Sequence, residues 1–159
     1  MKKKPSSFLG WVAVVLALVL LSGLLSVGIN YWVYQDIQKR LEIKANGRYI
    51  PSVFVPSFRL ENATFNWEDK VRLVEGSIKV RFDLMPLLSG RGIRIVAEST
   101  GAKIKFLGSW ALQEGIEDAT VDTLYADVIL GRRGLAGINT IEARSPSFQF
   151  SLKNVDKKG

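Results

Sequence analysis

The 159-residue sequence contains no cysteine and no histidine. Without cysteine the chain forms no disulfide and has no thiol nucleophile, and without histidine it lacks the base of Ser-His and Cys-His catalytic pairs. The two residue types that most often bind zinc are missing as well. These absences exclude the common nucleophilic hydrolases and Cys- or His-ligated zinc sites.

Charged residues are also absent from a long N-terminal stretch, between positions 5 and 35. Residues 8–34 of this stretch read FLGWVAVVLALVLLSGLLSVGINYWVY. About 20 apolar residues suffice for a helix to cross the hydrocarbon core of a bilayer. The sequence therefore predicts a transmembrane helix over 8–34.

Residues at both ends of this block are typical of the membrane–water interface. Aromatic side chains favour that region, and lysines favour the cytoplasmic side of a span. The predicted interface anchors are Lys2, Lys3, Lys4, Trp11, Tyr31, Trp32 and Tyr34. The basic tail over 1–7 is predicted to be cytoplasmic, so the C-terminal part lies across the membrane. A cleaved signal peptide, with small residues at 26–28, and a buried core helix remain alternatives, although signal peptides usually have shorter apolar regions.

The helix is predicted to continue beyond the membrane. Residues 35–47 read QDIQKRLEIKANG, in which Ile37 and Leu41 share one helical face and Asp36 pairs with Arg40 at i,i+4 spacing. A short juxtamembrane helix or stalk is expected up to Lys44, with the Asn-Gly pair at 46–47 ending it.

The apolar period then changes from helical to alternating. Alternation is present in 77–84, 93–98, 103–106, 124–130 and 148–153, and turn-forming residues separate these runs. A short helical corner is expected near Pro86. The predicted fold is a transmembrane α-helix followed by a mainly antiparallel β domain over 48–153, built as a curved meander or groove-like sheet. Residues 154–159 are expected to form a flexible tail.

Nine apolar residues of these strands are predicted to share one face of the sheet. They are Ile78, Val80, Phe82, Ile93, Ile95, Ile104, Phe106, Phe148 and Phe150. Such a face is either a closed core or an open groove for acyl chains, and a large exposed apolar patch needs a partner. These residues are therefore the candidates for contact with lipid or with a partner protein.

No residue pattern indicates catalysis, so the chain is predicted not to be an enzyme and to need no cofactor or metal. Asp118, Asp122 and Asp127 do not have the spacing of an EF-hand loop. The net charge of +7 comes from scattered basic residues and not from a nucleic-acid-binding motif, so nucleic acid is not an expected partner.

The order of features over 58–106 resembles the N-terminal region of the AsmA-like family of bacterial envelope proteins. A membrane helix precedes a strand pair around LENATFNW and KVRLVEGSIKVRFDL, then a DLMPLLSG corner and the strands IRI and AKIKF. The resemblance implies a bacterial inner-membrane anchor, a periplasmic groove of β-strands and a role in moving lipids. Family members are several times longer, which implies that this chain works with other envelope proteins or by self-association.

Two functions follow from these expectations. In the first, the sheet contacts or transfers membrane lipid, alone or within a lipid-handling assembly. In the second, the chain is a membrane-tethered scaffold whose sheet edge pairs with a strand of a partner protein.

Overall fold

A computed structural model describes residues 7–67, 71–74, 76–106 and 119–156. A long helix, α1 (Ser7–Leu41), is followed by an open antiparallel sheet, which confirms the predicted fold class. The strands are β1 (Lys44–Pro51), β2 (Ser57–Trp67), β3 (Val71–Val74), β4 (Ser77–Asp83), β5 (Ile93–Phe106), β6 (Ala119–Gly131), β7 (Gly134–Arg144) and β8 (Gln149–Asp156). The predicted helical corner is α2 (Met85–Leu88), with Pro86 in its first turn.

The sheet is a simple meander of consecutive antiparallel neighbours. β3 and β4 lie end to end between β2 and β5 and pair with both, so together they act as one interrupted strand. The order across the sheet is therefore β1, β2, β3 with β4, β5, β6, β7 and β8. β1 and β8 form its two edges.

The alternation read from the sequence matches the burial of the strands. In β4 the side chains of Ile78, Val80 and Phe82 are buried, whereas the residues between them are exposed. Because neighbouring side chains of a strand point to opposite faces, one face of the sheet is apolar and the other is polar.

The end of α1 differs from the prediction. The helix stops at Leu41 and not at Lys44, because Glu42 adopts a left-handed backbone conformation with φ 54°. Residues from Lys44 onwards belong to β1, which pairs with β2 over its length. The predicted stalk over 35–47 is thus correct only for its first part, and Gly47 lies at an irregularity in β1 instead of a helix end.

The predicted tail also needs correction. β8 extends to Asp156, and Val155 and Asp156 pair with Ile138 and Gly137 of β7. Three more residues of the predicted tail are therefore ordered by the sheet ladder. Positions 157–159 lie outside the described residues.

The C-terminal part of α1 packs on the apolar face of the sheet and completes the core. Val33 is fully buried there, and Tyr34, Ile37 and Leu41 pack against the same core. The predicted pair between Arg40 and Asp36 forms, with 2.7 Å between Nε and Oδ2. The same guanidinium donates from Nη1 to the carbonyl of Gly131 at 2.7 Å, which fixes the helix to the turn between β6 and β7.

Candidate functional site: the apolar sheet face and the loop beside the helix

Five of the nine predicted face residues form a closed core. Ile78, Val80, Phe82, Ile93 and Ile95 are all buried, together with Phe58 and Leu60 of β2 and Leu130 of β6. Cross-strand pairing places them side by side, since Phe82 lies opposite Ile95 and Ile95 lies opposite Val128. This part of the face lies under α1 and is not available to a ligand.

Of the other four predicted face residues, the three whose side chains the structure describes lie outside this buried cluster. Ile104 is half-buried in β5, and the side chain of Phe106 lies outside the described residues. Phe148 and Phe150 are 40% and 50% exposed. Phe150 pairs with Ala143, which pairs with Leu124, so it shares the face of the core strands. The apolar face is thus closed at one end and open at the other.

The open part of this face is here called the β7–β8 apolar surface. It consists of Leu135, Ile138, Ile141, Phe150, Leu152 and Val155. Leu135, Phe150 and Val155 are exposed, and the other three are half-buried. Its composition is apolar throughout, so it is suited to contact with hydrocarbon or with another apolar surface and offers no group for acid–base chemistry.

The opposite face of the sheet carries ion pairs. Arg94 donates from Nε and Nη2 to the two carboxylate oxygens of Asp127, at 3.0 Å and 2.7 Å, and Asn139 donates to Oδ1 at 3.0 Å. The hydrogen bonds from Arg94 hold the pKa of Asp127 below its ordinary value, against the opposing effect of burial. Arg81 pairs with Glu98 at an exposed position on the neighbouring strands.

These carboxylates have structural partners. Asp127, one of the three acids considered for cation binding, is bonded to a cation and an amide, and Asp118 lies outside the described residues. Within the described part of the chain, acidic side chains nowhere gather in a group of three that is suited to a metal ion.

The predicted interface anchors divide into two groups. Trp11, Tyr31 and Trp32 are exposed on α1. Tyr34 instead faces the sheet, with its ring 4.8 Å from that of Tyr49 and 5.5 Å from that of Phe58. It lies on the helical face that also carries Ile37 and Leu41, so packing on the sheet determines its position. Lys2, Lys3 and Lys4 lie outside the described residues.

A polar residue that sequence reasoning missed connects α1 to the sheet. Asn30 is fully buried, and its Nδ2 donates to the carbonyls of Ser52 and Val55 at 2.7 Å and 3.1 Å. These carbonyls belong to the loop between β1 and β2, residues 52–56, here called the β1–β2 loop. The sequence does mark this residue as unusual, since Asn30 is the only amide side chain in the block 8–34.

The β1–β2 loop borders a shallow cavity of about 500 Å³ beside α1. The cavity is lined by Leu18, Leu21, Ser22, Leu25, Ser26, Ile29, Asn30, Phe54, Pro56 and Leu84. Seven of these ten residues are apolar, and seven belong to the predicted membrane span. The Oδ1 atom of Asn30 is buried and has no hydrogen-bond partner among the described residues.

Comparisons of this chain with family models, with curated proteins and with solved structures find no match. The AsmA-like resemblance therefore stays a prediction. The α1 helix is long and apolar enough to cross a membrane, a property that a span shares with a signal sequence.

Proposed function

We propose that this chain is a single-pass, non-enzymatic protein of the bacterial inner membrane whose periplasmic sheet contacts lipid through the β7–β8 apolar surface. The observation that carries the proposal is the continuation of the apolar face beyond α1. Phe150 is half exposed there, beside the equally apolar Leu152. A contiguous apolar patch on the surface of a protein usually marks an interaction site.

The surroundings of α1 support a retained anchor. Only 6% of its most apolar window is buried inside the protein, so these side chains need an apolar environment. Val53 and Phe54 of the β1–β2 loop pack at Gly23 of the helix. Cleavage at 26–28 would remove this contact, which favours an anchor over a signal peptide.

The position of the sheet supports contact with membrane lipid. The helix runs without interruption from the apolar block into the core, and Leu41 lies about 10 Å along the axis from Tyr34. The sheet is therefore tied to the membrane by a short rigid connection instead of a flexible linker. A sheet connected so closely to the span is favourably placed for contact with lipid.

Photocrosslinking tests this proposal. A photoreactive phenylalanine analogue is placed at Phe150, on the apolar face, and separately at Ser151, an exposed neighbour whose side chain points to the opposite face. After irradiation of native membranes, adducts are identified by mass spectrometry. We expect lipid adducts at position 150 and not at position 151. Equal yields of lipid adduct at the two positions, or none at position 150, would contradict lipid contact through this face.

A scaffold function is the second candidate, and the free edge of the sheet favours it. In the described part of the chain β8 pairs with β7 alone, so its outer edge offers unpaired backbone groups. Such an edge accepts a strand from another chain. In that case positions 150 and 151 would both crosslink to the same protein, because a strand added at the edge passes both faces.

A further inference from the structure

The β1–β2 loop folds back along α1 towards the N-terminus of the helix. A Cβ atom built on Gly23 would lie 3.4 Å from Cε1 and Cζ of Phe54 and 3.4 Å from Cγ1 of Val53. The two apolar residues at the tip of the loop thus lie directly against the surface of α1 at Gly23. Asn30 holds the base of the loop through the carbonyls of Ser52 and Val55.

The depth of Gly23 follows from helix geometry. About 20 helical residues cross the hydrocarbon layer, whereas the apolar block 8–34 is longer than that. A layer that begins at Phe8 ends near Val27, and a layer that ends at Tyr34 begins near Val15. Gly23 lies inside the hydrocarbon in both alignments, and so do the loop residues packed against it.

The side chains of the loop suit such a position. Val53, Phe54 and Val55 are between 50% and 59% exposed within the protein, although all three are apolar. Phe54 has a left-handed backbone with φ 66°, a conformation that costs free energy in residues other than glycine. In water this arrangement would combine strain with exposed apolar area. In hydrocarbon the exposed area becomes favourable.

Part of the backbone of the loop has internal hydrogen-bond partners. Non-helical segments at membrane depth need internal partners for their peptide groups. Asn30 supplies two donors, Ser52 N–H donates to the carbonyl of Ser57 at 3.0 Å, and Ser57 N–H donates to that of Val55 at 2.7 Å. A polar side chain inside a membrane helix is costly unless it has such a role.

A second apolar segment adjoins the loop. Phe82 N–H donates to the carbonyl of Pro56 at 3.0 Å, which joins the loop to the end of β4 just before α2. Leu84 lines the same cavity as the loop, and Met85 and Leu88 of α2 are 71% and 85% exposed. The loop and α2 therefore present apolar side chains at the same end of the sheet.

We propose that the β1–β2 loop is a membrane-inserted wedge, whose binding partner is the acyl-chain region of the leaflet next to the sheet, with α2 at its margin. Asn30 is a positioning residue that keeps the loop against α1. The proposal rests on the membrane span in the proposed function but not on lipid contact at the β7–β8 apolar surface. It implies that the sheet is seated partly in the bilayer and perturbs lipid packing where α1 emerges.

Single-cysteine labelling tests the wedge directly, because the native chain has no cysteine. The full-length variants Phe54→Cys and Val53→Cys report on the loop, and Arg48→Cys, at an exposed position of β1, is the matched control. They are treated with a charged maleimide in membrane fragments that are open on both sides. This makes the labelling rate independent of the orientation of the protein.

We expect positions 53 and 54 to react at least about tenfold more slowly than position 48, since a thiolate forms poorly in hydrocarbon. Unfolding the chain in the denaturing detergent sodium dodecyl sulfate with urea, which removes both the bilayer and the fold, should bring the rates together. Equal rates at 48 and at both loop positions before detergent is added would overturn the proposal. The outcome does not depend on whether position 150 crosslinks to lipid. Failure of the wedge can therefore be distinguished from failure of the proposed lipid contact at the β7–β8 apolar surface.

The role of Asn30 is tested in the same assay. Adding Asn30→Ala to Phe54→Cys should accelerate labelling at position 54 several-fold, because the carbonyls of Ser52 and Val55 then seek water at the interface. Gln35→Ala is the control, since its amide donates to the hydroxyl of Tyr31 and not to the loop. Identical labelling in the Asn30→Ala and Gln35→Ala backgrounds would overturn the role of Asn30.

Discussion

The cluster of Arg94, Asp127 and Asn139 should be the most important polar interaction of the sheet. Asp127 is almost fully buried, with three hydrogen bonds, on a strand pair that carries a bulge at this point. The register of β6 on β7 shifts between Asp127 and Val128, which leaves Asn139 as the extra residue, and its side chain bonds to Asp127. We therefore expect Asp127→Asn to weaken both the strand pairing and the bend of the sheet.

The expected cost is about 2 kcal/mol of the free energy of unfolding. A hydrogen bond to a charged group contributes about 1.5–3 kcal/mol. Asp127→Asn keeps the shape of the side chain and one acceptor, and Arg94 is 46% exposed and regains water when the charge disappears. These two factors keep the loss below the 3–5 kcal/mol that is typical of breaking a fully buried ion pair.

The measurement is urea unfolding of the full chain in non-ionic micelles, followed by the circular dichroism of the sheet. A double-mutant cycle with Arg94→Gln and Asp127→Asn gives the coupling between the two side chains. The matched cycle uses Arg81→Gln and Glu98→Gln, a pair of the same chemistry in which both side chains are about half exposed. We expect a coupling of about 1–2 kcal/mol at the buried pair and below about 1 kcal/mol at the exposed pair.

The pH dependence gives an independent check. The pKa of Asp127 is lowered in the folded protein, so the stability from its charge is complete above the ordinary value of 3.8 and disappears as the pH falls through the folded pKa. The difference in stability between the native chain and Asp127→Asn should therefore shrink below about pH 4. Two results together would refute a buried charged cluster. The first is an equal coupling energy in the two cycles, and the second is a stability difference between the native chain and Asp127→Asn that does not change with pH.

Four further substitutions have clear expectations. Phe82→Ala removes a buried ring and should cost about 3–5 kcal/mol of stability in the same urea assay. Gly92→Ala should lower the urea midpoint strongly, because Gly92 has φ 106° and a Cβ there would overlap the carbonyl of Leu130. Gly90→Ala, with φ 73° but open space around it, should lower the midpoint less. Burial raises the pKa of Tyr49 to about 12, so the native chain should lose stability between pH 10 and pH 12, and Tyr49→Phe should lose less in alkaline unfolding curves.

The elements with a regular period could be predicted from the sequence. Ile78, Val80 and Phe82 alternate with polar residues, and a half-buried strand is the arrangement that buries such a pattern. The apolar block before Gln35 has no polar face, so a helix in an apolar environment was the natural prediction. Both are local patterns, and the structure confirms the helix and the antiparallel sheet.

The positions where local pattern failed depend on partners far away in the chain. Residues 44–51 carry little alternation and become a strand because β2 pairs with them. Tyr34 is an aromatic residue at the end of the apolar block, which predicts an interface anchor, yet its ring packs with those of Tyr49 and Phe58. Asn30 has a role only because Ser52 and Val55 fold back beside it. Asn30 stands out as the only amide in the block 8–34, but nothing in the sequence indicates its partners, and the other contacts have no sequence signal at either partner alone.

The packing of α1 gives the predicted anchor helix a second role, in the core of the sheet. Its first part is exposed and apolar, whereas its last part, from Val33 to Leu41, completes the core of the sheet. A linker between these two parts would let the sheet move freely above the membrane. In the proposed membrane-anchored protein, a continuous helix would instead transmit the tilt and depth of the span to the sheet, and both Asn30 and Arg40 fix the helix to the sheet at separate points. The proposed anchor would thus hold the β1–β2 loop and the β7–β8 apolar surface in fixed positions relative to the bilayer, as the proposed lipid contact requires.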